Sequence, residues 1–298
     1  MEAWQAPNVQ LIEKLGLKGR ERSVPDTGVV VGMEAGRVYA PDELPAIEIA
    51  PGVKAGLSWG KGSLLELLEM APGSIYPVQA MTGELIFKAE DGSATCTVDD
   101  RTLELDSDSI VYLTQGMSRS LRAGPNGFKA YEMFSPVRVD HLRLAGSPMP
   151  EGADVSFPDQ GVEQASLEPA VVHSFNDIRV TPIIMPGKDP SEPSTARSRF
   201  VWGKNFMLSF IFMDPNSSFP LHIHPEDQLM MIMEGAMEEG IIEEWLPMYG
   251  DKRHVILQPG GMTHAARLSP QGAYVVDIFW PVRPDYLAMW EQQAEQNK

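Results

Sequence analysis

The sequence predicts an all-β protein built from two copies of one barrel. Three observations indicate this: the apolar runs are of strand length, glycine (26) and proline (25) punctuate them closely, and the chain of 298 residues repeats itself once. Frequent turn residues between short β-rich runs are typical of barrels, in which closure protects the strand edges. With 43% hydrophobic residues, the chain is long enough for two domains or one large domain.

The internal repeat is carried by two blocks that align without gaps. The first block, WGKGSLLELLEMAPGSIYP, begins at Trp59 and matches WGKNFMLSFIFMDPNSSFP, which begins at Trp202. The second block, MSRSLRAGPNGFKAYEMFSPVRVDHL, begins at Met117 and matches MTHAARLSPQGAYVVDIFWPVRPDYL, which begins at Met262. Self-similarity at one long period indicates two copies of one structural unit, here of about 130 residues.

The domain organisation follows from the repeat. We expect a first barrel over residues 1–146, a linker over 147–170 and a second barrel over 171–298. The linker is rich in Gly, Pro and acidic residues, a composition typical of connectors. In the second barrel, FMLSFIFM, QLMMIM, HVILQ and AYVVDIFW have the length and composition of strands. The tail DYLAMWEQQAEQ has helical spacing without Gly or Pro, so we expect a short C-terminal helix.

The charge of the chain excludes several classes of partner. The formal net charge is −17 and the pI is about 4.7, so neither nucleic acid nor an anionic membrane is expected to bind. No apolar run approaches the roughly 18 residues of a membrane span, and the N-terminus lacks the charged-then-apolar order of a signal peptide. Cys96 is the single cysteine, so no internal disulfide can form, and we expect a cytoplasmic protein.

Two histidines stand one residue apart, before an apolar run, in FPLHIHPEDQLMMIMEG. Residues i and i+2 of a strand project to the same face, so His222 and His224 are expected to point together into the second barrel. Gln228 follows after a short bend, and His264 follows the turn QPGGM. Three neutral imidazoles and an amide oxygen suit one divalent first-row metal, with Zn, Ni, Mn, Fe and Co all as candidates. Gln228 is either the fourth ligand or a hydrogen-bonding partner of the ligands.

The first barrel has none of these four residues. At the positions of His222, His224, Gln228 and His264 it carries, in the same order, Gln79, Met81, Leu85 and Arg119. Two copies of one fold need the same residues for folding, so the scaffold does not require the histidines. Their presence in the second barrel therefore favours a metal site there.

The two segments that carry the histidines resemble a known family. HIHPEDQLMMIMEG followed by PGGMTH is similar to the two signature motifs of the cupin superfamily, and the repeat makes the chain resemble a bicupin from about residue 35 to 287. The resemblance implies two tandem cupin barrels, which are jelly rolls of the double-stranded β-helix type. The usual cupin metal set is three His and one Glu, whereas this chain has Gln228 at the Glu position.

The three-His, one-Gln set and the ending DIFWPVRPDYL resemble KdgF-type cupins, which are typically single-cupin chains. These proteins open the ring of 4,5-unsaturated uronates released by pectin and alginate lyases. Their end motif, roughly D-x-F-x-P-x-R-x-D, falls on Asp277, Phe279, Pro281, Arg283 and Asp285. The resemblance implies a metal-dependent isomerase that acts on a small anionic sugar acid.

The same resemblance implies roles for three residues near the end of the chain. Asp277 would move protons, Arg283 would hold the substrate carboxylate and Phe279 would shape the pocket. Glu132 is the equivalent of Asp277 in the first barrel, so the role of Asp277 stays open between catalysis and structure.

Arg283 has the same ambiguity, because the first barrel repeats its sequence context. Arg138 and Asp140 are the equivalents of Arg283 and Asp285. Arg283 is therefore either catalytic or a buried structural partner, and Asp285 is expected to be structural.

Two other function classes remain open. An Fe- or Cu-dependent cupin oxygenase would cleave a small diketone or enediol and consume oxygen, and a non-catalytic cupin would bind a sugar acid without turning it over. The first barrel is interpreted as a covalent partner that replaces the second subunit of a cupin dimer. A homodimer of the whole chain is also compatible with the sequence. His141 belongs to no motif and is expected at the surface.

Overall fold

The computed structural model describes residues 27–149, 162–184, 194–241 and 244–296. The middle of the predicted linker and the N-terminal stretch, in which no signal peptide is expected, lie outside the described residues.

The described chain forms two nine-stranded antiparallel sheets, each rolled into a barrel, so the predicted all-β architecture is confirmed. The first ten strands are β1 (Val38–Tyr39), β2 (Ala46–Ala50), β3 (Val53–Trp59), β4 (Leu64–Met70), β5 (Ile75–Ala80), β6 (Glu84–Val98), β7 (Arg101–Leu105), β8 (Ser109–Leu113), β9 (Ser118–Ser135) and β10 (Val172–Ser174). The other eight are β11 (Val180–Pro182), β12 (Ala196–Trp202), β13 (Met207–Met213), β14 (Ser218–His222), β15 (Asp227–Ile241), β16 (Glu244–Tyr249), β17 (Val255–Gln258) and β18 (His264–Trp280).

One helix follows the last long strand of each barrel: α1 (Val139–Leu144) and α2 (Pro284–Gln296). The predicted C-terminal helix is therefore confirmed, and it begins at a proline, which suits the first helical position because the N–H there has no partner within the helix. The ring of Trp290 packs edge-on against Trp202, with the ring centres 5.0 Å apart. In the part of the chain that the structure describes, no helix is long and apolar enough to cross a membrane.

The long strands present different residues to the two sides of each barrel wall. In β18, Phe279 belongs to the core inside the second barrel, whereas its neighbours Ile278 and Trp280 belong to a cluster that contains residues of both barrels. From the first barrel this cluster includes Leu65 and Ile86. This alternation follows from the two-residue period of a strand. The two barrels therefore share a hydrophobic core between them.

The barrels also exchange short strands. β1 precedes the first barrel in the chain but pairs with β17 of the second, where Val38 lies opposite Ile256. β10 falls in the range assigned above to the second barrel but pairs with β8 of the first, where Val172 lies opposite Val111. Each exchanged strand covers an edge that would otherwise present unpaired backbone groups.

Reciprocal carboxylates connect the barrels at the repeated Trp-Gly-Lys motif. Glu84 of the first barrel accepts hydrogen bonds from the backbone N–H groups of Lys204 (2.6 Å) and Asn205 (2.9 Å) in the second. Its equivalent, Asp227 of the second barrel, accepts a backbone hydrogen bond from Lys61 in the first. The motif is therefore repeated because each copy forms a turn that is bound by a carboxylate of the other barrel.

A bulge bends one of the long inner strands of each barrel, β15 in the second and β6 in the first. Gly235 in β15 has a φ of +76°, and its equivalent Gly92 in β6 has the same value. A Cβ on Gly235 would lie 2.1 Å from the carbonyl oxygen of Gly272, so no larger residue fits. The pairing of β15 with β18 shifts register twice between Ile232 and Met237. The bulge therefore changes which residues of β15 face into the barrel. Counting every second residue from the start of the strand no longer identifies them beyond Gly235.

The expectation that His141 lies at the surface is wrong. His141 is 1% exposed, because the face of α1 that carries it packs onto the first barrel. Its Nδ1 lies 2.6 Å from Oε1 of Glu66, which is also buried. A buried hydrogen-bond partner explains the histidine in the absence of a sequence motif.

Replacing Glu84 with alanine is expected to lower the free energy of unfolding by about 3 kcal/mol, because the backbone N–H donors of the facing turn lose their buried acceptor. Urea denaturation of the purified protein measures this. Glu69→Ala is the matched control, since Glu69 is exposed and pairs only at the surface with Lys129. If the two variants unfold at the same urea concentration, the reciprocal carboxylates do not hold the barrels together.

Candidate metal centre

The three predicted histidines meet inside the second barrel. His222 ends β14 and His264 begins β18, and the two residues are direct partners in the ladder between these strands. The ring centre of His264 lies 4.2 Å from that of His222 and 5.0 Å from that of His224. All three side chains are buried, and one ring nitrogen from each lies within 4.8 Å of the others. Among the residues that the structure describes, this is the only such group with metal-ligand chemistry.

Backbone carbonyls orient all three rings in the same way. The Nδ1 atoms donate to carbonyl oxygens at 2.9–3.0 Å, since a carbonyl can only accept. The pairs are His222 with Pro220, His224 with Glu226 and His264 with Met262. Each Nε2 therefore carries a lone pair, which is the arrangement that metal-binding histidines adopt.

The electrostatics of the cluster fit a cation. Burial lowers the pKa of His264 to about 4 and lowers the pKa values of His222 and His224 well below the usual range, so all three rings are neutral near pH 7. The Nε2 of His264 is buried without a hydrogen-bond partner. A buried unpaired acceptor is costly, and a bound metal ion would remove that cost.

Gln228 joins the cluster through its side-chain oxygen. Its Nε2 donates to Oδ1 of Asp277 at 2.9 Å, which turns Oε1 toward His224, 3.0 Å from Nε2. With Nδ1 of His224 protonated, both of these facing atoms are acceptors, and they repel each other unless a cation lies beside both. The side-chain oxygen of Gln228 therefore lies beside the histidine nitrogens, a position from which it can act as a fourth ligand.

Asp277 is buried beside the cluster on β18, opposite Met230 of β15. Burial raises the pKa of its carboxyl to about 7, against the opposing effects of the Gln228 hydrogen bond and the charge of Arg283. A carboxyl in this range exchanges protons readily near neutral pH.

Arg283 and Phe279, the other two residues of the predicted catalytic set, also border the cluster. Phe279 packs edge-on against the ring of His224, with centres 5.5 Å apart. Arg283 lies over the ring of Tyr286 at 4.0 Å, and its Nε donates to Oδ1 of Asp285 at 3.0 Å.

The first barrel repeats the arginine–aspartate pair without histidines nearby. Nε of Arg138 donates to Oδ1 of Asp140 at 2.9 Å. The pairing is therefore a feature of the shared scaffold, as expected for Asp285. Nη1 of Arg138 donates to Gln79, the equivalent of His222, at 2.9 Å. Arg283 lines the same cavity as His222 and His264.

The site of the second barrel encloses a small cavity of about 30 Å³, which is room for one or two water molecules. The site residues that line it are His222, Gln228, His264, Asp277, Phe279 and Arg283. Much of the remaining wall is apolar and includes Met213, Met230 and Met237. Glu239 also lines this cavity and was missed by the sequence analysis. The only signal was its place in the acidic run EGAMEEGIIEEW, which begins at Glu234. The bulge at Gly235 prevents alternation from showing which carboxylate of that run faces inward.

In the first barrel, a buried ion pair occupies the equivalent space. Arg119, the equivalent of His264, donates to both oxygens of Glu132, with Nη2 at 2.8 Å from Oε2. Both side chains are fully buried, and the guanidinium lies over the ring of Tyr76 at 4.7 Å. The first barrel therefore has the guanidinium of Arg119 at the place where the lone pairs of the histidine Nε2 atoms converge in the second.

No family model matches the chain, and no curated protein matches it in sequence. Solved structures do match in fold. Oxalate decarboxylase from Lactobacillus farciminis, in a formate complex, has a TM-score of 0.59 at 12% identity, covering 87% of this chain and 89% of its own. AerE from Microcystis aeruginosa has a TM-score of 0.57 at 13% identity, covering 79% and 95%. A cupin 2 conserved barrel domain protein from Leptotrichia buccalis has 0.55 at 12%, covering 85% and 100%.

The fold is that of a bicupin. At these identities the likeness concerns the fold alone, so the chemistry of this protein has to come from its own residues. The expected pair of tandem cupin barrels is confirmed, and the histidine cluster of the second barrel is a site that can bind a metal.

We expect the purified bicupin to bind one divalent metal ion per chain, because the first barrel holds an ion pair in place of the ligands. Elemental analysis after loading with Zn, Ni, Mn, Fe or Co and gel filtration measures this. His264→Ala is expected to elute without metal, whereas His173→Ala, which removes a histidine outside the cluster, retains it. Two ions per chain, or unchanged loading of His264→Ala, would contradict the assignment.

Proposed function

We propose that this bicupin is a metal-dependent enzyme that transfers protons on a small anionic sugar acid. Its reaction is the ring opening of 4,5-unsaturated uronates, the products of pectin or alginate lyases, to linear keto-uronates. The observation that carries the proposal is the placement of Asp277, a buried carboxyl hydrogen-bonded to the same amide that turns its oxygen toward the histidines.

The metal site is expected to hold a divalent first-row ion, bound by His222, His224, His264 and Gln228. Zn, Ni, Mn, Fe and Co all suit three imidazoles and one amide oxygen. When bound, the ion supplies positive charge that polarises the oxygens of the substrate.

Asp277 serves as the proton acceptor in this proposal. Ring opening requires removal of the proton from the anomeric hydroxyl, and a base with a pKa near the working pH is the most effective. The carboxyl of Asp277 lines the cavity, and burial raises its pKa to about 7. The hydrogen bond from Gln228 holds the carboxyl beside the metal ligands.

Arg283 and Phe279 orient the substrate. Asp285 occupies the Nε and Nη2 edge of Arg283, so a substrate carboxylate would meet the Nη1 side. This local charge offsets the repulsion between an anionic substrate and an acidic protein. Phe279 lines the cavity and packs against His224, which limits access of water.

The described cavity is smaller than a uronate, so the lining has to move for the substrate to enter. Three of the lining residues are methionines, whose unbranched side chains change rotamer at little cost.

The purified protein is expected to accelerate the loss of the 4,5-double-bond ultraviolet absorbance of the monomeric product of an alginate or pectate lyase. Chelation and His264→Ala should both abolish the acceleration, because both remove the metal. Asp277→Asn should retain metal but lower kcat by about 10²- to 10⁴-fold, the usual contribution of one acid or base. A metal-loaded wild-type protein that leaves the absorbance at the spontaneous rate would exclude the proposed reaction, and binding without turnover would favour a non-catalytic sugar-acid cupin.

The size and apolar wall of the cavity favour a second candidate, a cupin oxygenase for a small diketone or enediol. This function needs a redox metal, Fe or Cu, at the same site. The three methionines and the neighbouring Phe219 and Val275 suit a smaller and less polar substrate than a uronate.

Oxygen consumption separates the two functions. Under the ring-opening proposal, protein loaded with Fe or Cu is expected to consume no oxygen when a small diketone such as 2,4-pentanedione or the uronate is added to an oxygen electrode. Oxygen uptake by the wild-type protein that is lost in His264→Ala would favour the oxygenase. Protein-free metal at the same concentration is the control for uncatalysed oxidation.

A further inference from the structure

Glu239 places a second buried carboxyl in the metal cavity. It lies on β15, is 2% exposed and lines the same cavity as Asp277. Nε2 of Gln258 donates to Oε1 of Glu239 at 2.6 Å. With Oε1 held in this way, Oε2 is the oxygen left toward the cavity. The cavity therefore has one carboxyl on β18 and another on β15.

The scaffold does not require this carboxyl. The equivalents of Glu239 and Gln258 in the first barrel are Cys96 and Leu113, both fully buried in its hydrophobic core. Burying a carboxyl and an amide in place of a thiol and a leucine is costly. As with the histidines, the polar pair appears in the barrel that has the metal cluster and is absent from the one that lacks it.

The surroundings of Glu239 keep its proton in place. Burial raises the pKa of Glu239 well above its usual range, and the negative charge of Asp277 raises it further, although the Gln258 hydrogen bond opposes them. The accepted hydrogen bond at Oε1 leaves Oε2 to carry the proton, so the group facing the cavity is a hydroxyl donor.

We propose that Glu239 is the catalytic acid of the ring-opening reaction, delivering a proton to C4 of the substrate while Asp277 takes one from the anomeric hydroxyl. This inference rests on the proposed function and divides its two proton transfers between two residues. Carboxyls on different strands of the cavity can act on two different atoms of one substrate, as pairs of acids and bases with separated pKa values do.

The proposed transfers balance. Asp277 accepts the O1 proton, the C1–O1 bond becomes a carbonyl, and the bond between C1 and the ring oxygen breaks. The electrons of that bond leave an enolate oxygen on C5, and collapse of the C4–C5 enolate to a C5 ketone takes up the proton of Glu239 at C4. The product is an isomer of the substrate. Solvent then returns a proton to Glu239 and removes one from Asp277.

Gln258 is a positioning residue in this scheme. Its hydrogen bond fixes which oxygen of Glu239 faces the cavity. Gln258 also lies directly opposite Gln228 in the ladder between β15 and β17, which ties the position of the acid to that of the metal cluster.

The test is turnover of the monomeric unsaturated uronate in D₂O by metal-loaded wild-type protein and Glu239→Gln. The wild-type product, quenched early and examined by NMR, is expected to carry deuterium at C4 on one face only. Glu239→Gln keeps a hydrogen-bonding side chain of the same size but has no proton to give. Its kcat should fall by about 100-fold with little change in KM, and C4 of its residual product should be deuterated on both faces, because the enol then collapses in solvent.

The controls separate catalysis from structure. Glu238→Gln removes the exposed neighbour on the same strand and should match the wild type. Glu239→Asp restores an acid and should recover part of the rate and the one-sided deuteration. Metal content and thermal unfolding of each variant show whether the site is intact.

Two results would overturn the inference, and they differ. A folded, metal-loaded Glu239→Gln protein with wild-type kcat and one-sided deuteration would show that Glu239 is not the acid, with the proposed function still standing. A metal-loaded wild-type protein that does not open the uronate would remove the proposed function and this inference together.

Discussion

A carboxyl is buried at the same position in both barrels. Burying its charge is costly unless the carboxyl has a cation beside it or holds a proton. In the first barrel, Glu132 is neutralised by Arg119 in a fully buried pair, so the interior is filled and closed. In the second, His264 replaces Arg119 and the facing carboxyl is Asp277, which therefore has no arginine at that position. The Nε2 lone pairs of the histidines in the second barrel have no side-chain cation as a partner among the described residues, so a cation from solution would stabilise them. One duplicated scaffold therefore holds a structural ion pair in one half and a candidate metal centre in the other.

The two barrels also differ at a second buried carboxyl. The first barrel also pairs buried Glu66 with His141, where the second has Ser209 and Tyr286. In the first barrel Glu66 and Glu132 thus have buried side-chain partners, whereas the second barrel has Ser209 and Asp277 at these two positions. Polar residues that distinguish the second barrel border one small cavity: His222, Gln228, Glu239 and His264. Gln258 supports this group through its hydrogen bond to Glu239. Such a concentration of buried polar groups costs stability, and proteins accept that cost chiefly at functional sites.

The repeat, the strands and the metal cluster were predictable because each depends on local spacing or on the difference between the two copies. Alternation predicted that His222 and His224 point to the same side, although β14 ends at His222 and His224 lies just beyond it. The absence of both from the first barrel showed that folding does not need them. Glu239 was not predictable, because the bulge at Gly235 shifts the register of β15 within the acidic run, ahead of Glu239. Neither the exchange of β1 and β10 between barrels nor the burial of His141 leaves a periodic signal, since both depend on contacts between segments distant in sequence.

The first barrel, which lacks the three histidines, has a physical role that does not depend on metal ligands. β15 and β18 carry Gln228 and Asp277 toward the cavity, and the residues next to them, Leu229 and Ile278, pack into the core shared with the first barrel. Because alternate residues of one strand serve the two faces, any shift of a strand that disturbed the shared core would also move a site residue by a similar distance. Proton transfer and metal binding tolerate little such movement. The first barrel therefore acts as a rigid support for the two strands on which the proposed chemistry depends, and its covalent attachment provides that support at any protein concentration.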